Sequence, residues 1–245
     1  MAISVDTVYK TVLLILNKEQ RGYMTPDEFN KIGSQVQREI FEAYFEDLNQ
    51  QVRVPQTDMD YADRVAITDE KIAEFKTTGN ATHTANGIFT LPTDLYRLGV
   101  THYSPTNLDT VEIQRVSRGD FYNLNKSPLT KPSTSFPIYL YEDNKLLVYP
   151  TSISGKVSVD YLKKPDDVTW AYQIDANTQA FVFAGTNTGA GVFPPTGAVD
   201  FQLHNSERTE VILKILLYQG IVIRDPSIIQ VAAQKVQQEE VNEKS

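Results

Sequence analysis

The side chains best suited to chemistry in this chain are three histidines and a large stock of carboxylates. His83, His102 and His204 stand far apart, with no second histidine or ordered carboxylate at metal-ligand spacing. Each reads as a surface or hydrogen-bonded residue, and no metal is expected. Asp58-x-Asp60 resembles the start of a calcium loop. Such a loop needs Gly at its sixth position and Glu at its twelfth, where this chain has Asp63 and Asp69. The calcium site is therefore rejected. There is no nucleophile elbow, phosphate-binding glycine loop or dinucleotide fingerprint. Sequence spacing does not set two carboxylates across a cleft, so glycoside chemistry has no support. Basic residues interleaved with aromatics, the pattern that grips single-stranded nucleic acid, are also missing. No enzymatic activity and no cofactor is expected.

The acids instead form a run. Glu42, Glu46, Asp47, Asp58, Asp60, Asp63, Asp69 and Glu70 face only Arg53 and Arg64 over residues 42–70. A solvated acidic connector is the plain interpretation. The formal net charge of −8 argues against a nonspecific grip on DNA, which needs a basic surface. Arg97, Arg115, Arg118, Lys126 and Lys131 make the middle of the chain less acidic, as scattered surface charges. Cysteine is absent, which excludes disulfides and thiolate metal sites and fits a reducing compartment. A fold of 245 residues buries roughly 70–75% of its unfolded surface and needs no such staple. The start of the chain lacks a basic region, and residues 12–16 are too short for a signal-peptide core. No run approaches the roughly 20 apolar residues of a membrane span, and no membrane partner is expected.

Helical patterns occupy both ends. Asp6 or Ser4 can cap a first helix to about Glu19, with Gly22 suited to the left-handed position after it. Thr25-Pro26-Asp27-Glu28 predicts a capping box with proline at the first helical position. Phe29, Ile32, Val36, Ile40, Tyr44 and Leu48 then recur at three- and four-residue steps. They predict a helix of about 24 residues, ~36 Å long. Its stripe fits core packing or, in part, a neighbouring subunit. A short helix is expected over residues 68–76, and another from Ser117 to about Leu124. Residues 127–132 are expected to be extended, because residues before proline avoid the helical region.

Near the C-terminus Ser206 is expected to cap a buried helix. Asp225-Pro226 restarts a last one, whose Ile228, Ile229, Ala232, Ala233 and Val236 share a face. A helix this short is marginal alone, so residues 226–245 are expected to dock on a partner or on the first helices. Residues 171–200 predict a hairpin arm, with Phe181 to Ala184 and Val192 to Pro195 about a glycine-rich tip. Phe181, Phe183 and Phe193 are its interface candidates, although folding back onto the sheet fits equally.

The centre, residues 88–165, reads as an antiparallel β-domain of short apolar runs broken by turns. Residues 138–141 and 146–149 predict a hairpin about a polar loop, ended by Pro150. Residues 157–162 alternate strictly, as in a sheet with one buried face. The fold class expected is α+β, with N- and C-terminal helices packed together beside a central antiparallel β-domain. The parts are 1–76, helical with the acidic connector; 77–204, the β-domain with the arm near 171–200; and 205–245, the C-terminal helices. The helical parts are expected to form one bundle.

The succession LPTDLYRL (91–98), SPLTKPSTSFPIYLY (127–141), KLLVYP (145–150) and VSVDYLKKP (157–165) resembles the β-domain of head–tail connector proteins of tailed phages. It is most similar to the portal-adaptor or ring proteins of crAss-like short-tailed phages. Helices before and after the β-domain match as well, so the likeness spans most of the chain. It implies a virion structural protein at the head–tail connector, made in the host cytoplasm, in a homo-oligomeric ring, twelvefold in such adaptors. The implied partners are other copies, the portal protein, other tail or ring proteins, and passing genomic DNA bound without sequence specificity. Glu42, Glu46, Asp47, Asp58, Asp60 and Asp63 are then candidates for an acidic channel lining; the rival is an outward, solubilising face. A β-domain module for glycans or host surfaces is the alternative function, favoured by 13 Tyr and 11 Phe.

Overall fold

The computed structural model describes residues 2–18, 23–51, 64–105, 109–189, 191–223, 230–231, 233–238 and 241. Its helices are α1 (Val5–Lys18), α2 (Pro26–Gln51), α3 (Arg64–Ala73), α4 (Arg118–Lys126) and α5 (Arg208–Ile223). Strands β1 (Lys76–Asn80), β2 (Thr82–Ala85), β3 (Ile88–Thr90), β4 (Leu95–Tyr103), β5 (Val111–Glu112) and β6 (Gln114–Arg115) precede α4. Strands β7 (Ile138–Glu142), β8 (Lys145–Tyr149), β9 (Val157–Lys163), β10 (Tyr172–Ile174) and β11 (Phe181–Phe183) follow it. The class is α+β. Two compact units divide the chain: Met1–Glu74 with Pro165–Ser245, and Phe75–Lys164. Residues 165–204, expected with the β-domain, thus belong with the helices.

In the helical unit, the start of the chain meets the segment before α5. Ile3 and Phe201 exchange main-chain hydrogen bonds of 3.2 and 3.1 Å, a bridge across almost the whole sequence. Helix α1 starts just after it, with Ser4 accepting from the Thr7 amide and Asp200 accepting from the Val5 amide at 2.8 Å. Asp6 does not cap; it lies in the first turn and accepts from the Trp170 indole N–H at 3.1 Å. The capping box of α2 forms as its residue types require. Thr25 Oγ1 accepts from the Glu28 amide at 3.4 Å, and Glu28 Oε2 accepts from the Thr25 amide at 2.9 Å.

The apolar stripe of α2 supplies buried Phe29, Val36, Ile40, Phe41 and Tyr44, and α1 and α2 both pack against α5. Phe29 lies edge-on to Phe201 and tilted to Tyr9, which in turn meets Trp170 at 4.4 Å between ring centres. Burial pushes the Tyr9 hydroxyl above its ordinary pKa, and the O–H donates to the Met24 carbonyl at 2.9 Å. Polar side chains of α2 bind the segment before α5. Buried Gln37 donates to the Asp166 carbonyl and accepts from the Gln202 amide, both at 2.7 Å. Asn30 accepts from the Trp170 amide at 2.6 Å.

Helix α5 is entered through a short 3-10 turn, Asn205–Glu207. His204, not the expected Ser206, is its cap: the imidazole accepts from the Ser206 amide at 3.3 Å. The Gly22 and Leu48 assignments, and the expected last helix as far as Ile229, fall outside the described residues or side chains. Residues 233–238 are helical.

The β unit holds two sheets. One is antiparallel in the order β1-β9-β4-β5, and the other runs β2-β3-β8-β7-β6. The second departs from the antiparallel expectation at its edge, where β6 pairs parallel with β7. Buried Phe89, Ile113, Tyr139, Leu146, Val148 and Val159 form its core, and β9 alternates buried and half-buried as its sequence predicts. The β7–β8 hairpin turns on Asp143 and Asn144, both at positive φ, the conformation a two-residue hairpin needs. Asn86-Gly87 makes a similar turn between β2 and β3.

Ser117 caps α4 by accepting from the Asp120 amide at 3.2 Å. Beyond it the expected extended run is a turn. Ser127, directly before Pro128, is extended; the Thr130 amide then bonds back to the Ser127 carbonyl at 3.2 Å. Pro128 restricts the residue before it and its own φ, and that φ suits a turn.

Candidate functional site

The arm at 171–200 forms a surface in the helical unit. Its strands are not the pair expected: β11 pairs with β10, at Tyr172↔Phe183 and Ile174↔Phe181. Asp175 makes the turn, its carboxylate accepting from the amides of Asn177 and Thr178 at 2.8 and 2.9 Å. Those bonds hold its pKa below the usual carboxylate range. The glycines at 185, 189 and 191 take positive φ, and the chain returns so that Phe193 bridges Tyr172 from the other side. The expected partner of Phe181 to Ala184 was Val192 to Pro195; β10 takes that place.

Strand alternation puts Tyr172, Ile174, Phe181, Phe183 and Phe193 on one face and Val182 on the other. The rings form a ladder. Phe183 stacks on Trp170 at 5.7 Å, Phe181 is edge-on to Tyr172 at 4.9 Å, and Phe193 lies 5.9 Å from Tyr172. The inner rungs are covered. Phe181, Phe193 and Ile174 stay exposed.

Tyr172 and Phe193 also rim an open groove of about 580 Å³ along α2, with Asn30, Ser34, Arg38 and Asp167 among its lining. Most of its polar groups are engaged, although Arg38 Nε is buried without a partner. Lys31 pairs with Asp27 at 2.7 Å, Arg38 pairs with Asp167, and Ser34 donates to the Asn30 carbonyl. The groove therefore offers an aromatic edge and neutralised rims.

A second exposed surface is α4 with the turn after it. No residue of α4 is buried. Arg118 holds it to Glu142 through Nε at 2.8 Å, and Phe121 packs on Tyr149 at 4.4 Å. Tyr122, Leu129 and Phe136 point into solvent.

The other singled-out residues are dispersed. His83 is edge-on to Phe89, His102 Nε2 lies 3.1 Å from Asp160, and His204 is a cap. Thr78 donates to Asp160 at 2.6 Å, and that bond, with His102, holds the carboxyl below its usual range. Glu42 is exposed on α2. The side chains of Glu46 and Asp47, and the whole of Asp58, Asp60, Asp63, Ile228, Ile229 and Ala232, lie outside the described residues. Ala233 and Val236 are half-buried. Among the described residues no group of three or more His, Asp or Glu could hold a metal ion, and no helix is long and apolar enough to cross a membrane.

A charged cluster stands where α5 begins, its Glu207 and Glu210 expected there because acids favour a helix's positive end. Lys71 Nζ of α3 meets buried Glu207 at 2.7 Å, and Lys214 meets Glu210 at 2.7 Å, one turn along α5. Burial raises Glu210 to about 7, with the Glu207 carboxylate adding and Lys214 opposing. Burial also acts on Glu207, but Lys71 outweighs it and keeps that carboxyl below its ordinary value. The i, i+3, i+4 spacing of Glu207, Glu210 and Glu210, Lys214 was visible in the sequence; the approach of Lys71 was not. No protein-family model and no curated protein matches the chain.

Proposed function

We propose that the chain is a non-enzymatic virion structural protein that assembles into a ring between phage portal and tail, around the DNA channel. The observation that carries this is the uncovered aromatic face of Ile174, Phe181 and Phe193, which a second protein surface would bury. The likeness of residues 91–165 to head–tail connectors supplies the context. Twelve copies, the number the likeness implies, would bring about −96 formal charge to the ring, from −8 each. An acidic lumen lets DNA slide, because attractive phosphate contacts would slow it. Glu42 and Glu46 to Asp63 are the proposed lining, and the portal and neighbouring tail proteins the proposed partners.

Imaging the purified protein alone and mixed with its portal tests this. Rings with a central hole that stack on the portal are expected, with the acidic run on the inner wall. Single particles that ignore the portal would overturn the proposal, and acids on the outer wall would overturn the lining. A glycan-binding module is the second reading, favoured by the aromatic edge of the groove. It ranks lower because most of the polar lining that would bind sugar hydroxyls, Arg38 Nε excepted, is already engaged internally.

A further inference from the structure

The two exposed apolar surfaces carry opposite charge. On α4 and the turn after it, Leu129 is 94% exposed, Phe136 79% and Tyr122 58%. Arg118, Lys126 and Lys131 against Asp120 give residues 116–137 a formal charge of +2, or +1 with the Glu142 that pairs with Arg118. On the arm, Phe193 is 50% exposed and Ile174 47%. Residues 165–204 around them hold Asp166, Asp167, Asp175 and Asp200 and no Lys or Arg, for −4, or −3 with the Arg38 that pairs with Asp167. The same contrast holds for whole units. Ten Lys and Arg against seven Asp and Glu leave Phe75–Lys164 at +3, and the total of −8 puts the remainder at −11.

We propose that the α4 surface of one copy docks on the aromatic face of the next, Leu129 and Phe136 covering Ile174 and Phe193. The occupant is a second copy because this chain itself supplies both complements, in apolar area and in sign of charge. Lys126 and Lys131 are exposed beside Leu129, so the basic side chains travel with the apolar ones. Complementary fields steer such an encounter and fix its orientation. Two different faces of one chain make a heterologous contact, which adds copies head to tail and closes into a ring when the rotation allows. This contact rests on the ring proposed above and names its faces.

The test is native mass measurement on the full chain and four variants: Leu129→Asp/Phe136→Asp, Ile174→Asp/Phe193→Asp, Lys126→Glu/Lys131→Glu, and Val182→Asp. The parent is expected as a closed oligomer. The first three variants are expected as single copies of 27.6 kDa with melting temperatures near the parent's. Val182→Asp, on the opposite face of the arm, is expected to assemble. Mixing the first two variants is expected to give pairs and nothing larger, because each keeps the face the other has lost. Assembly of the first variant, of the second when folded, or of the charge reversal would overturn the assigned faces and leave the ring standing. Absence of pairs in the mixture would overturn the head-to-tail contact alone. A parent that weighs one copy would overturn the ring, and this contact with it.

Discussion

Glu210 binds a proton more tightly in the folded chain than in the unfolded one. Its pKa is raised by burial to about 7 from 4.5, so between those values the folded state binds more protons. Its contribution to stability is full below about pH 4.5 and is lost as pH rises through 7. Glu207 has the opposite sign: its contribution is present above its ordinary value and lost as pH falls below it. We predict that Glu210→Gln gains in melting temperature relative to the parent as pH rises from 4.5 to 7.5. A difference that does not change with pH would contradict the assignment, whatever the loss of the Lys214 pair does to both ends of the scale. Gly87 is a backbone case. It has φ +75°, and a Cβ there would lie 2.5 Å from the Val148 carbonyl oxygen. Gly87→Ala should cost ~2–3 kcal/mol by denaturant titration. The Asn86-Gly87 pair is a local turn signal carried by the sequence. The Lys71–Glu207 pair was not legible there, since nothing local ties residue 71 to residue 207.

At the scale of elements, the helices were the most legible parts, because caps and stripes are local. Thr25, Pro26 and Glu28 mark the start of α2, and Phe29, Val36, Ile40 and Tyr44 turn their stripe inward as spaced. Ile40 is 1% exposed, so Ile40→Asp would bury an unpaired carboxylate. The expected loss is ~3–4 kcal/mol, roughly a 10 °C fall in Tm for a chain of this size. An unchanged Tm would contradict the packing of α2. Hairpin β7–β8 was equally plain, from its Asp-Asn turn. The arm was misread because its strands are three residues long and are chosen by tertiary contacts, Trp170 under Phe183 and Phe193 beside Tyr172, rather than by their own alternation.

For the whole molecule, the order helix, sheet, helix was legible, and with it the packing together of the two ends. The assignment of residues 165–204 to the helical unit was not. It depends on Asn30 and Gln37 of α2 meeting main-chain groups more than a hundred residues away, and such bonds leave no periodic trace. The self-association proposed here makes the chain's uncovered aromatic faces and its divided charge parts of one design: surfaces that are unfavourable alone become buried in the assembly. The mass of the purified native particle tests this most directly. The account predicts one closed species, a fixed multiple of 27.6 kDa and twelvefold by the connector likeness, unchanged on moderate dilution. A particle of 27.6 kDa at every concentration would contradict it.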